Sequence, residues 1–131
     1  MQQCPCCKAR LSGDSHCRRC RADLTAVFAA EQAARYWLAR AIHNWADNNI
    51  EPCLDALNLS LHLKQTPLAL VFREFLIDRC SRSLLTLLAQ KKLLAAKQQL
   101  YNARRLLPYS EFLRQLLAFT DYLLAHNQER S

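Results

Sequence analysis

The sequence predicts a mainly α protein, five helices behind a small cysteine-rich N-terminal segment, and three observations carry that prediction. The 131 residues include one Gly and four Pro, too little turn material for the tight hairpins of an all-β fold. Leu and Ala, both strong helix formers, dominate everything after the first twenty-odd residues. With 51% hydrophobic and 22% charged residues, the chain can bury a real core and does not have the composition of a disordered segment.

The helices follow in order. Residues 1–22 form a polar segment rich in Cys and Arg, and the helical region is expected over 23–126, with a polar tail at 127–131. After Asp23, the residues Leu24, Val27, Phe28, Ala34, Leu38, Ala41, Ile42 and Trp45 recur at helical intervals. Asp23 or Thr25 caps the start of this helix, and Asp47, Asn48 and Asn49 end it. A second helix starts at Glu51 and Pro52 and runs to about Lys64; Pro suits a first turn because its missing N–H has no intrahelical partner there. Leu54, Leu57 and Leu61 make one stripe and Leu59 and Leu63 another, which predicts burial on more than one side. Thr66 and Pro67 signal a third helix, continued by Leu68, Val71, Phe72, Phe75, Leu76, Cys80, Leu84, Leu87 and Leu88 to about Gln90. A fourth is expected through Leu93, Ala96, Leu100, Ala103 and Leu107 to the break at Pro108. Ser110 then caps a fifth carrying Phe112, Leu113, Leu116, Leu117, Leu123 and Leu124.

An internal comparison at an offset of 43 aligns Ala46-Asp47-Asn48-Asn49 with Ala89-Gln90-Lys91-Lys92, Leu57 with Leu100, Leu63 with Leu106 and Leu70 with Leu113. Each unit reads as a long helix, a polar turn, a shorter helix and a Pro. This layout resembles tetratricopeptide-like repeats over about Leu24 to Leu124, with Cys53-Leu54-Asp55-Ala56-Leu57 as an Ala/Leu-patterned second helix. The resemblance implies a five-helix stack of helical hairpins. The period exceeds the family's usual one of about 34 residues, and the small Gly of the first helix is missing.

The strongest chemical signal is Cys4-Pro5-Cys6-Cys7, then nine residues, then Cys17-Arg18-Arg19-Cys20. Four thiolates can surround one Zn(II) tetrahedrally at about 2.3 Å, and each two-residue gap lets a tight turn aim two sulfurs at one point. The double spacing favours Cys4, Cys7, Cys17 and Cys20 as ligands. Cys6 can substitute for Cys7, and His16 for Cys17. Gly13 and Asp14 mark a reversal between the two turns. The segment resembles a short zinc ribbon, a rubredoxin-type pair of knuckles, over Cys4 to Cys20. Such knuckles often carry Gly after the second Cys, where φ is positive; here Lys8 and Arg21 follow, which predicts distorted knuckles. Four sulfurs close the coordination sphere, so a single structural zinc is expected and a hydrolytic one is not.

Other chemistry is sparse. A redox role for the paired thiols, stabilised by Lys8, Arg18 and Arg19, lacks the βαβ context of thioredoxin-like sites. Cys53 and Cys80 lie on apolar stripes and read as inert thiols. Neither His43, His62 nor His126 belongs to a carboxylate or thiol constellation, and there is no phosphate loop, nucleophile elbow or H-E-x-x-H run, so no enzyme is expected. Trp37, Trp45, Phe28, Phe72, Phe75 and Phe112 fall at helical spacing and read as core; Tyr36 and Trp37 are adjacent on a helix and cannot both face inward, so one marks a contact surface.

The net charge is +7. Arg79, Arg82, Lys91, Lys92, Lys97, Arg104 and Arg105 form a basic band between 79 and 110 without an acidic residue, which can attract nucleic acid, an acidic protein surface or anionic lipid. Basic residues near the cysteines largely offset the −2 charge of a zinc held by four thiolates. Leu84 to Ala96, the longest mainly apolar stretch, is interrupted by Gln90, Lys91 and Lys92 and falls short of the ~20 residues needed to span a bilayer. No signal-peptide run precedes the cysteines, and clustered thiols in a reducing compartment bind metal more often than they form disulfides, which places the chain in the cytoplasm. The expected function is that of a zinc-binding helical-repeat adaptor or assembly factor for a protein partner. The alternative is a nucleic-acid-binding module using the ribbon with Lys91, Lys92, Lys97, Arg104 and Arg105.

Overall fold

The computed structural model describes residues 3–10 and 16–130, the side chains of 127–130 excepted. Among them the chain is mainly helical. The helices are α1 (Thr25–Ala46), α2 (Ile50–Leu63), α3 (Pro67–Ala89), α4 (Leu93–Asn102) and α5 (Glu111–Arg130), with a 3-10 helix, Arg104–Tyr109, between α4 and α5. None of the helices is long and apolar enough to cross a membrane. Two isolated backbone bridges, Gln3 with Arg10 and His16 with Asp23, are the only extended pairings among the described residues. The reversal expected at Gly13 and Asp14 lies outside them.

Local signals set the helix starts. Asp23 Oδ1 accepts from the Thr25 N–H at 3.0 Å and from its hydroxyl at 2.6 Å, one position before the N-cap Leu24. The Thr66 hydroxyl accepts from the Ala69 N–H at 3.2 Å, with Pro67 opening α3. Ser110 does the same for the Leu113 N–H at 3.2 Å. Each satisfies an amide that the helix cannot.

The turns after α1 and α3 are built alike. Asn48 and Lys91 take positive φ, 62° and 60°. The N–H of Asn49 donates to the Asn44 carbonyl at 2.8 Å, and that of Lys92 to the Leu87 carbonyl at 2.9 Å. These are Schellman closures 43 residues apart, and the same offset relates the next bonds, Cys53 N–H to Asn49 and Ala96 N–H to Lys92. Asn tolerates the left-handed region; Lys does so at a cost of roughly 1–2 kcal/mol. Lys91→Gly is therefore expected to stabilise the fold by about 1 kcal/mol and Asn48→Gly by much less, as read from paired denaturant melts.

One core joins the helices. Ala41, Cys53, Leu54, Leu57, Leu84, Ala96, Leu100 and Leu113 are all at or below 2% exposed. α2 packs on α1 and α3, α4 on α3 and α5, and α3 on α5. Polar ties cross the same boundaries. The buried Ser60 hydroxyl donates to the Ala34 carbonyl at 2.7 Å. Lys64 Nζ lies 2.8 Å from Glu31, and its hydrogen bond holds that carboxyl below the ordinary Glu value.

Four sequence expectations need correction. The fourth helix does not reach Pro108; it ends at Asn102, and Arg104–Tyr109 is 3-10, because the Pro ring clashes with the carbonyl four residues back and offers no N–H. α2 is buried on one side: Leu54, Leu57 and Leu61 face the core, whereas Leu59 and Leu63 are 45% and 40% exposed. Of the aromatics read as core, Phe72 is buried, but Phe75 and Phe112 are exposed. α5 is helical through Arg130, into the stretch expected as a polar tail.

Candidate metal centre

The two cysteine pairs occupy turns of the same construction. In the first, the Lys8 N–H donates to the Cys4 carbonyl and the Cys4 N–H to the Ala9 carbonyl, both at 2.8 Å. In the second, Arg21 donates to Cys17 at 2.8 Å and Cys17 to Ala22 at 3.0 Å. The expected distortion is absent. Lys8 and Arg21 take φ of 61° and 59° in spite of their side chains, so each turn closes as it would around Gly, at the strain that a non-Gly residue carries there.

Closure brings the sulfurs together. All four Sγ atoms of Cys4, Cys7, Cys17 and Cys20 lie within 4.8 Å of one another. Two cross-pairs, Cys4 with Cys20 and Cys7 with Cys17, stand at 3.6 Å. Four sulfurs at about 2.3 Å from a common centre would be about 3.8 Å apart. The donor set therefore fits a tetrahedral metal ion, and soft thiolates in that geometry suit zinc or iron rather than hard cations. Neither open alternative joins the set: Cys6 is exposed between Cys4 and Cys7, and His16 lies 3.7 Å from Asp23.

Backbone amides prepare this set for ionisation. The Cys20 N–H donates to the Cys17 sulfur and, with that of Arg19 and against burial, brings the Cys17 thiol down to about 6. Burial works to raise Cys4, but the N–H groups of Cys7 and Cys6 and the Cys20 thiol leave it below the ordinary thiol value. At Cys20, an exposed residue, the Ala22 N–H favours the thiolate, yet partial desolvation of the sulfur and three neighbouring sulfurs prevail and push it up to about 12. Negative charge at Cys4 is the first cause that raises Cys6, with burial second. Crowded sulfurs without a cation thus share protons; a divalent ion would replace them.

The cluster is fastened to the helical body by apolar contact. Cys4, Cys17 and Leu24 form a buried group of their own, with Cys7, Ala9, Ala22 and Phe28 packed around it. Leu24 and Phe28 belong to the entry and first turn of α1, which makes the metal segment an extension of that helix's start.

The basic band is partly neutralised. Arg104 meets Glu51 at 2.7 Å and Arg105 meets Asp55 at 2.8 Å, both reaching back to α2. Lys97 pairs with Asp121 on α5, and Arg82 with Asp78 at 3.1 Å. Four of the seven cations thus serve as ties within the fold. Cys53 is fully buried, and burial pushes its thiol to about 11. Cys80, also raised to about 11 by burial, is only half-buried and borders a cavity that the sequence did not reveal. Tyr36 is 56% exposed and Trp37 half-buried, their rings edge to face at 5.2 Å. Comparison of the chain with protein-family models, with curated proteins and with solved structures gives no match.

Proposed function

We infer that the chain is a zinc-clamped helical docking protein, in which Cys4, Cys7, Cys17 and Cys20 hold one structural zinc and the helices receive a protein partner. The observation that carries the reading is the set of four sulfurs spaced for one tetrahedral ion. Zinc suits it as the redox-inert ion that four thiolates coordinate completely, and a closed sphere leaves no position for water or substrate. Its task is cohesion. The segment has too few buried side chains to fold by itself, whereas an ion of this kind contributes on the order of 10–16 kcal/mol in zinc-finger peptides.

The docking half is supported by repetition. With turns 43 residues apart, α1–α2 and α3–α4 read as two units of a tetratricopeptide-like stack and α5 as the first helix of a third. Along α3, Leu68, Val71 and Phe75 are 62%, 64% and 38% exposed. On α5, Phe112 and Phe119 are 45% and 50% exposed. Terminal and surface helices of a free-standing stack carry polar outer faces, so exposed apolar side chains on two neighbouring helices favour a contact surface. The internal pairing of Arg104, Arg105, Lys97 and Arg82 weighs against a phosphate-binding role for the band.

Metal analysis of purified protein is expected to give one zinc per chain. A native pull-down is expected to retain a stoichiometric protein that the double variant Phe75→Asp, Phe119→Asp loses while keeping its helical circular dichroism. A metal-free folded protein, or an eluate of nucleic acid alone, would overturn the reading.

A further inference from the structure

A cavity of about 500 Å³ lies where the α1–α2 turn meets α3, α4 and the 3-10 helix. That volume falls within the range of small-molecule sites, about 300–1,000 Å³. Its apolar lining includes Trp45, Ile50, Leu76, Ala103 and Leu106. Its polar groups are Asn48, Arg79, Cys80, Gln98, Gln99 and Asn102, and no acidic side chain is among the described residues that line it.

The hydrogen bonds among these groups occupy acceptors and leave amide N–H groups among the residues that line the cavity. Gln98 Nε2 donates to Asn102 Oδ1 at 3.0 Å, which occupies that oxygen and leaves the Asn102 amide nitrogen as a donor. Ser83 Oγ donates to Gln99 Oε1 at 3.0 Å, which does the same for Gln99. The Cys80 sulfur accepts from Gln99. Arg79 adds a permanent cation, its guanidinium 5.9 Å from the Phe75 ring, and Arg79 contributes five N–H donors and no acceptor. Trp45, which also lines the cavity, meets the same ring edge to face at 5.3 Å. A lining that combines N–H donors with apolar and aromatic side chains suits a ligand that is acceptor-rich at one end and flat and apolar at the other.

We propose that this cavity binds a small organic acid in which one carboxylate, held by Arg79 and the Asn102 and Gln99 amides, is joined to a flat apolar body lying against Trp45. The site is separate from the sulfurs and goes beyond the docking reading. A carboxylate takes a guanidinium in a fork of two parallel hydrogen bonds, and such charge-assisted bonds are roughly twice as strong as neutral ones. The apolar body supplies the remaining affinity by leaving water.

The probe is 1-naphthoate, compared with the uncharged 1-naphthalenemethanol and the cationic 1-naphthylmethylammonium, on the full metal-loaded chain. Calorimetry and the Trp45 indole N–H resonance follow binding. Naphthoate is expected to bind saturably, at least tenfold more tightly than the alcohol, with the ammonium weakest. Arg79→Gln is expected to weaken naphthoate at least tenfold and leave the alcohol unchanged. Ala95→Trp, which places an indole at the cavity wall, is expected to abolish binding of both, and unchanged helical circular dichroism certifies each variant. No saturation by naphthoate up to millimolar concentration, equal affinity for the acid and the alcohol, or indifference to Arg79→Gln would overturn the assignment.

Discussion

Replacing Cys17 by serine is expected to strip the chain of metal and unfold residues 3–10 and 16–23 while α1 to α5 remain helical. Cys17 is 2% exposed, accepts backbone N–H groups from Cys20 and Arg19, and lies 3.6 Å from the Cys7 sulfur. A serine hydroxyl is a hard, largely protonated donor, so three thiolates would be left around an open position that water enters. Among its described residues the segment has only Cys4, Cys17 and Leu24 in its buried group, too little apolar surface to offset the conformational entropy of ordering it. Bound zinc should fall from about one per chain to nearly none in the presence of a mild chelator. Hydrogen exchange should show the Lys8 and Arg21 amides, which close the two turns, losing protection. The main helical core shares no buried residue with this group, so the far-ultraviolet spectrum should change little. A serine variant that still carries one ion, or one whose helices melt together with the turns, would refute the division of labour between the two parts.

Leu84→Ala is expected to destabilise the helical body by about 3–5 kcal/mol, the range for deleting a fully buried Leu side chain with incomplete collapse around the void. Leu84 is 0% exposed within the core that joins α1 to α5. In a chain of this size the loss corresponds to a fall in Tm on the order of 10 °C or more. Leu85, one position on and 47% exposed, supplies the control: Leu85→Ala should stay within about 0.5 kcal/mol of the parent. Equal effects at the two positions would mean that the described burial is wrong at the centre of α3.

The starts of α3 and α5 were legible from the sequence because capping is a local matter. Thr66 and Ser110 reach amides three residues on, and the sequence alone places them there. The end of α4 was misread for a reason also local but opposed: Ala103, Leu106 and Leu107 continue the apolar rhythm, and Leu106 is indeed buried, yet Pro108 forces the backbone out of α geometry beneath them. Periodicity identified apolar faces without saying whether anything covers them, which is why Leu59, Leu63, Phe75 and Phe112 stand exposed where burial was expected. The charge band was illegible for a further reason. Arg104 finds Glu51, 53 residues earlier, and a pairing of that separation depends on how the hairpins pack. At the metal centre, spacing alone identified the four sulfurs that come together. It misjudged Lys8 and Arg21, because residue preference is weighed one position at a time, whereas here backbone bonds on both sides hold the unfavoured φ in place.

The sulfur set is two-faced. Cys4 and Cys17 are sealed against Leu24, whereas Cys7 is half-buried and Cys20 is open to solvent. An incoming ion would therefore meet Cys20 first and be drawn inward, and a competing thiol would take hold at that same outer corner. Exchange of the ion with the surroundings would then proceed by stepwise handover at Cys20, with the sheltered pair the last to let go.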